Sequence, residues 1–322
     1  MTTFAEDHLP EGQKTIQTNN VKRCKAFLRL ITDQQRSSPT MGVITGPAGI
    51  GKTIATQDYL DSVAPHAHTA LPTAIKVKVM PRSTPRALAK TVLDGLLEKP
   101  KGNNIYEMAD EAALAIERNE VKLLVVDEAD RLNEDSFEVL RHLYDKTGCP
   151  IVLVGLPAIL RVIEHHEKFS SRVGLRMHFL PLELKEVLTV VLPGLVIPRW
   201  CYDPEQESDC LMGTEIWNKV NPSLRKLTNL LEIASQTARV SGLPRISKET
   251  IEEAFGWMAT QTDHQRSRRK KTPPDKKTQG KHERASEERR EGKQKSSDKE
   301  HHEGNEPPSD EEGHEGKQPP SN

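Results

Sequence analysis

The stretch GVITGPAGIGKT, residues 42–53, constrains the fold more than any other part of the chain. A short apolar run of strand character ends in Gly46-Pro47-Ala48-Gly49-Ile50-Gly51-Lys52-Thr53, which matches the spacing GxxxxGK[ST]. Such a loop works only between a buried strand and the N-terminus of a helix. There its backbone N–H groups and the helix dipole together hold phosphate oxygens. Gly49 and Gly51 leave room for the ligand to approach the backbone, and Ile54 continues the contact into the helix. Lys52 is expected to reach the β- and γ-phosphates, and the Thr53 hydroxyl to hold Mg²⁺.

The rest of the pattern agrees with a parallel sheet covered on both faces. Residues 74–80 alternate, with Ile75, Val77 and Val79 apolar and Lys76 and Lys78 polar. Continuous apolar runs follow at Leu123-Leu124-Val125-Val126 and Ile151-Val152-Leu153-Val154, and residues 174–180 supply a fifth strand. Between them lie helical patterns: one capped by Asn20 with Val21, Cys24, Phe27 or Leu28, and Ile31 inward, one over 54–60, and one capped by Thr84. Further helices are expected over 105–117, over 135–145 and from Pro157. Strands alternating with helices in this way read as α/β. After Leu182 the pattern turns helical, most clearly over 224–239 and 248–258.

From about Asp263 onward Ala285 is the only apolar residue apart from glycine and proline. Such a segment cannot bury enough surface to offset its ordering entropy, and is read as a disordered charged tail. It is basic first, with Arg266, Arg268, Arg269, Lys270, Lys271, Lys276 and Lys277, and acidic beyond Asp298. This suits an interaction arm with DNA as one partner, or a solubilising extension with none. The expected organisation is a flexible N-terminus over 1–19, a core over 20–182, a helical lid over 183–262 and the tail over 263–322. The four cysteines have no CxxC spacing, no apolar run approaches membrane-spanning length, and the N-terminus does not read as a signal peptide. A cytosolic protein of bacterial or phage origin, without a membrane partner, is the expectation.

Asp127 and Glu128 close the strand LLVVDE. At a strand tip facing a bound γ-phosphate, Asp127 holds Mg²⁺ through water and Glu128 orients and deprotonates the attacking water. Two acids here, with no NKxD-type base-reading motif, favour an ATPase over a small GTPase. The letters DEAD at residues 127–130 do not indicate an RNA helicase. The foldable chain beyond Leu182 is too short for the second nucleotide-facing lobe that such an enzyme needs.

These motifs resemble the AAA+ superfamily. The resemblance implies that Arg172, in FSSRVGLRMHFLPL, is an arginine finger acting on the nucleotide of a neighbouring protomer, with Arg176 the competing choice. It implies that Arg225, in NPSLRKLTNLLEIASQTA, is the sensor 2 residue of the lid. One departure is clear: the position after Gly155, where a polar sensor 1 residue is usual, is Leu156. Either another group supplies that polarity or γ-phosphate sensing is weak and hydrolysis slow.

The run DEADRLNEDSFEVLRHLYDKTGCPIVLVGLP, together with the P-loop and the lid, resembles the transposition regulators of the MuB, TniB and TnsC group over about residues 20–260. That resemblance implies a homo-oligomer, often a filament, assembled with ATP on double-stranded DNA. It would recruit a transposase, possibly with a target-selection protein, and leave on hydrolysis. Lys76, Lys78 and Arg82 lie where this group's DNA-facing elements are, and cations there grip phosphates without reading sequence. A helicase loader of the DnaC/IstB type and a signalling or defence ATPase are the alternatives.

Overall fold

The computed structural model describes residues 14–32, 41–63 and 73–270, with side chains through 259. The first described unit runs to Thr260 and the second from Gln261.

Helix α1 (Asn19–Thr32) turns Val21, Cys24, Leu28 and Ile31 inward, with Leu28 fully buried and Phe27 beside it. Its cap differs from the expectation at Asn20. Thr18 Oγ1 accepts from Val21 N at 3.3 Å, whereas Asn20 is buried and its amide clamps the backbone of Leu180. There Nδ2 donates to the Leu180 carbonyl at 2.7 Å and Oδ1 accepts from Leu180 N at 3.3 Å. The last sheet strand has ended by this point, so the amide satisfies backbone groups that no strand reaches.

Strand β1 (Met41–Thr45) feeds the glycine loop and helix α2 (Lys52–Ser62). Strand β2 (Ala74–Lys78), helix α3 (Pro85–Gly95) and helix α4 (Ile105–Arg118) follow. Thr84 caps α3 as expected, accepting from Ala87 N at 3.2 Å. Strand β3 (Leu123–Asp127), helix α5 (Glu134–Thr147) and strand β4 (Ile151–Gly155) come next. Helix α6 (Ile159–His165), helix α7 (Glu167–Ser170) and strand β5 (Val173–His178) complete the sheet region.

The sheet is five-stranded and parallel in the order β2-β3-β4-β1-β5. Its two faces divide each buried strand. Leu124 and Val126 join α3, α4 and α5 in one apolar cluster, while Leu123 and Val125 join α1 and α2 in another. That two-sided burial is why the strands read as unbroken apolar runs. Cys24 and Cys149 sit in these layers, and burial pushes both thiols up to about 12, which leaves them unreactive.

The C-terminal part is helical and has its own core. It comprises α8 (Leu184–Glu186), a π turn (Val187–Val191), α9 (Leu192–Gly194), α10 (Glu207–Val220), α11 (Leu224–Val240) and α12 (Lys248–Lys270). Val187, Trp217, Leu227, Leu231 and Ile251 lie at its centre. Helix α12 runs on to Lys270, past the expected start of the tail, and residues 271–322 lie outside those described. Among the described residues, no helix is long and apolar enough to cross a membrane.

Candidate nucleotide site

Strand register assembles the site. Thr45 pairs with Gly155, and Asp127 with Val154, so the tips of β1, β4 and β3 end at one level. Ligand crevices in open α/β sheets form at such carboxyl ends. Here the tips open onto a cavity of about 630 Å³. It is lined by Ala48–Ile54 of the loop, by Asp127, Glu128, Asp130 and Arg131, and by Leu224 and Arg225 of α11.

Gly49 and Gly51 adopt φ of +74° and +99°, the left-handed region in which a side chain is strained. At Gly49 the protein itself also comes close. A Cβ there would lie 2.5 Å from Ser223 Oγ and 3.2 Å from Arg225 Cβ, and Arg225 N donates to the Gly49 carbonyl at 3.1 Å. The start of α11 is therefore docked on the phosphate loop. No side chain caps α2 at Gly51, so the donors of its first turn have no such acceptor.

Lys52 donates to the carbonyls of Gly46 and Pro47, both at 2.8 Å. Burial pulls its pKa down; Asp127, Asp130 and Glu128 oppose that effect, and Arg225 adds to it. Asp127 is 3% exposed. Its Oδ1 accepts from Glu128 N at 2.8 Å, while its Oδ2 is buried with no hydrogen-bond partner. Glu128 has φ +57° and pairs with Arg131 at 3.3 Å; Arg131 also donates to the carbonyl of Val79, just beyond β2, at 3.1 Å.

Asp130, which sequence reasoning passed over, lines the cavity beside the apolar Leu156. Its Oδ1 accepts from Leu156 N at 2.8 Å, bracing the tips of β3 and β4 against each other. Also missed were the cavity walls from residues 14–18, expected to be part of a flexible end, and from 191–197. Their only sequence signal is the apolar residues Ile16, Val191, Leu195, Val196 and Ile197, which mark no strand or long helix.

The structure does not bring Arg172 or Arg176 to this cavity. Arg172 is bound to Asp145 of α5, and Arg176 pairs with Glu164 at 3.3 Å. Lys76, Lys78 and Arg82 lie along β2, at one edge of the sheet, and the loop after it. Lys78 and Arg82 are exposed, and Arg82 has φ +59°. Among the described residues no cluster of His, Cys, Asp and Glu suits a structural metal.

Residues 34–163 match the family described as AAA domain. The chain is 25% identical over 134 residues to a "Potential ATP-binding protein" of Staphylococcus aureus, covering 42% of this chain and 49% of that protein. It thus spans about half the length of that relative. Among solved structures, Aeropyrum pernix ORC1 in complex with DNA is similar at 17% identity and TM-score 0.54, over 74% of this chain and 64% of that one. The ADP form of Aeropyrum pernix ORC2 is similar at 16% identity and TM-score 0.59, over 78% and 70%. Cdc6p of Pyrobaculum aerophilum is similar at 14% identity and TM-score 0.58, over 77% and 68%. These identities speak to fold alone. Sheet order, glycine loop and matched residues agree on the fold: a parallel five-stranded P-loop ATPase core, of which residues 34–163 match the AAA domain.

Proposed function

We propose that this protein is an ATP-hydrolysing AAA+ switch that assembles with copies of itself on double-stranded DNA. There it serves transposition by engaging a transposase and leaves when ATP is hydrolysed. The observation that carries the nucleotide half is the convergence of Lys52, Asp127, Glu128 and Arg225 on one cavity above the strand tips.

The residues fit Mg²⁺. Asp127 Oδ2 is a buried acceptor with no partner, which is costly unless a cation or donor faces it. Thr53, at the start of α2, and Asp127 would hold the ion, which when bound neutralises phosphate charge. Lys52 would leave the carbonyls of Gly46 and Pro47 for phosphate oxygens, a short side-chain swing. Glu128 is the general base for water. Arg225 is placed by the docked start of α11, so that closure of the helical part as a lid reports on the nucleotide. With Leu156 apolar and Asp130 committed to Leu156 N, slow turnover is expected.

The DNA half rests on charge and on resemblance. Between residues 74 and 93 the chain has five cations, Lys76, Lys78, Arg82, Arg86 and Lys90, and no acid. Such a run favours phosphate backbones over base edges. The similar Aeropyrum pernix ORC1 structure is itself a DNA complex. The transposition setting rests on the run from Asp127 to Pro157 that resembles the MuB, TniB and TnsC group.

The test is sedimentation with double-stranded DNA at low and high salt, with ATP, ADP or no nucleotide, for the full chain and Lys52→Ala. ATP-dependent, salt-sensitive binding lost in Lys52→Ala supports the proposal. Binding that ignores nucleotide, or a preference for single strands, sinks it, the latter in favour of a helicase loader.

A further inference from the structure

The cavity extends well beyond the phosphate loop. Ile16, Val191, Leu195 and Ile197 give it apolar walls, and Thr228 and Glu232 line it from α11. Arg225, Thr228 and Glu232 are spaced by three and then four residues, so they form one stripe along one helix face. The start of that stripe is fixed, because Arg225 N donates to the Gly49 carbonyl at 3.1 Å. Seven residues of helix rise about 10 Å, which carries Glu232 from the level of the phosphates to that of the nucleoside.

Glu232 lines the cavity, is exposed and, among the described residues, its side chain has no hydrogen bond or ion pair. A carboxylate can only accept hydrogen bonds, so whatever it meets must donate. Without the metal or water that Asp127 and Glu128 would engage, it would only repel the phosphates at close range. About 10 Å away, near one Debye length at moderate salt, that repulsion is weaker. The apolar walls suit a flat base, which would be enclosed. The donors that stay at the open rim are the hydroxyls of the sugar.

We propose that Glu232, with Thr228 beside it, is the ribose-recognition residue of this pocket. Its carboxylate accepts from the 2′- and 3′-hydroxyls and sets a preference for ribonucleotides over deoxyribonucleotides. The inference rests on reading this cavity as the nucleotide site. One helix then reads both ends of the ligand, Arg225 the phosphates and Glu232 the sugar. For a protein working on DNA, such a residue also excludes deoxynucleotides from its switch.

The test is calorimetric titration of the full chain with ADP, 2′-deoxy-ADP, 3′-deoxy-ADP and GDP, for wild type, Glu232→Gln, Glu232→Ala and Lys52→Ala. Wild type should bind ADP about tenfold more tightly than 2′-deoxy-ADP, the scale of a hydrogen bond to a charged group. Glu232→Ala should bind both equally, and more weakly than wild type binds 2′-deoxy-ADP, whose 3′-hydroxyl the carboxylate still holds, with Glu232→Gln in between. Equal wild-type affinities, or a preference that survives in Glu232→Ala, overturn the inference while leaving the nucleotide site standing. So does discrimination against GDP that depends on Glu232 while the deoxy ligands bind like ADP, since the carboxylate would then read the base. If wild type binds no nucleotide and matches Lys52→Ala, the site reading itself falls, and this inference with it.

Discussion

Arg172 and Asp145 are joined by two side-by-side bonds, Nε to Oδ1 at 2.6 Å and Nη2 to Oδ2 at 2.7 Å. The fork of the guanidinium meets the carboxylate edge-on, the strongest geometry available to such a pair. The two residues come from different elements, α5 and the turn that enters β5. The bond therefore fixes where Arg172 points within its own chain.

If Arg172 acts on a neighbour's nucleotide, it must first leave Asp145. Arg172→Ala should then lower hydrolysis by about 100-fold or more. Asp145→Asn, which weakens the pair, should raise it a few-fold at limiting protein concentration. Mixing Arg172→Ala with Glu128→Gln should restore some activity at mixed interfaces, measured as phosphate release. No recovery at any mixing ratio assigns Arg172 a purely structural bond to Asp145.

Asp127 makes a second prediction, in which stability and function part. Asp127→Asn keeps an acceptor for Glu128 N and removes a buried charge, one oxygen of which has no hydrogen-bond partner. It should raise the melting temperature of the protein without nucleotide by a few degrees, an effect of about 1 kcal/mol. The same change should abolish Mg²⁺-dependent hydrolysis, as chelation of the metal does in wild type. A lower melting temperature would mean that the carboxylate is matched within the fold.

The strands and the loop were legible because their chemistry is local. Leu123–Asp127 and Ile151–Gly155 are apolar runs that stop where the site begins, and the loop is a pattern in one stretch. The cavity walls were not legible, because Ile16, Leu195 and Glu232 meet only through tertiary packing. Asn20 has the chemistry of a cap, but burial turned it to the backbone of Leu180 instead. Helix α10 was covered only by the general helical reading, since its apolar positions are interrupted by Gly213 and Thr214 and mark no continuous face. Asp145 reads as an ordinary surface acid until the turn carrying Arg172 is folded beside it.

Arg131 links Glu128 to the basic edge of the sheet. It pairs with Glu128 at 3.3 Å and donates to the Val79 carbonyl at 3.1 Å, and Val79 leads directly into the loop carrying Arg82. Arg131→Ala should free Glu128, raising basal hydrolysis a few-fold, chiefly in kcat, and weakening any stimulation by DNA. Unchanged stimulation would separate the two sites.

Acid should loosen the contact around α5. Arg172 beside Asp145 holds its carboxyl below the ordinary range, and Lys146, with His142, does the same for Asp110. A depressed carboxyl adds stability above the unfolded value of about 4, and this is lost as pH falls through the folded value. Both groups are well exposed, so the loss should be small. Urea midpoints measured from pH 6 down to pH 3 should fall, and fall less steeply in Asp145→Asn. Parallel curves would remove Asp145 from the account.

The docking of α11 on the phosphate loop can be tested through Gly49. Gly49→Ala adds a Cβ 2.5 Å from Ser223 Oγ at a φ of +74°, so both a clash and backbone strain oppose it. The expected cost is about 1–3 kcal/mol. Ser223→Ala alone removes the cap that accepts from Lys226 N at 3.2 Å, worth about 1 kcal/mol. In the double variant the clash is relieved while the strain and the lost cap remain. The combined loss should therefore be smaller than the sum of the single losses, a coupling measurable by a double-mutant cycle in urea. Strict additivity would mean that α11 stands clear of the loop, and Arg225 would then have no fixed route to the phosphates.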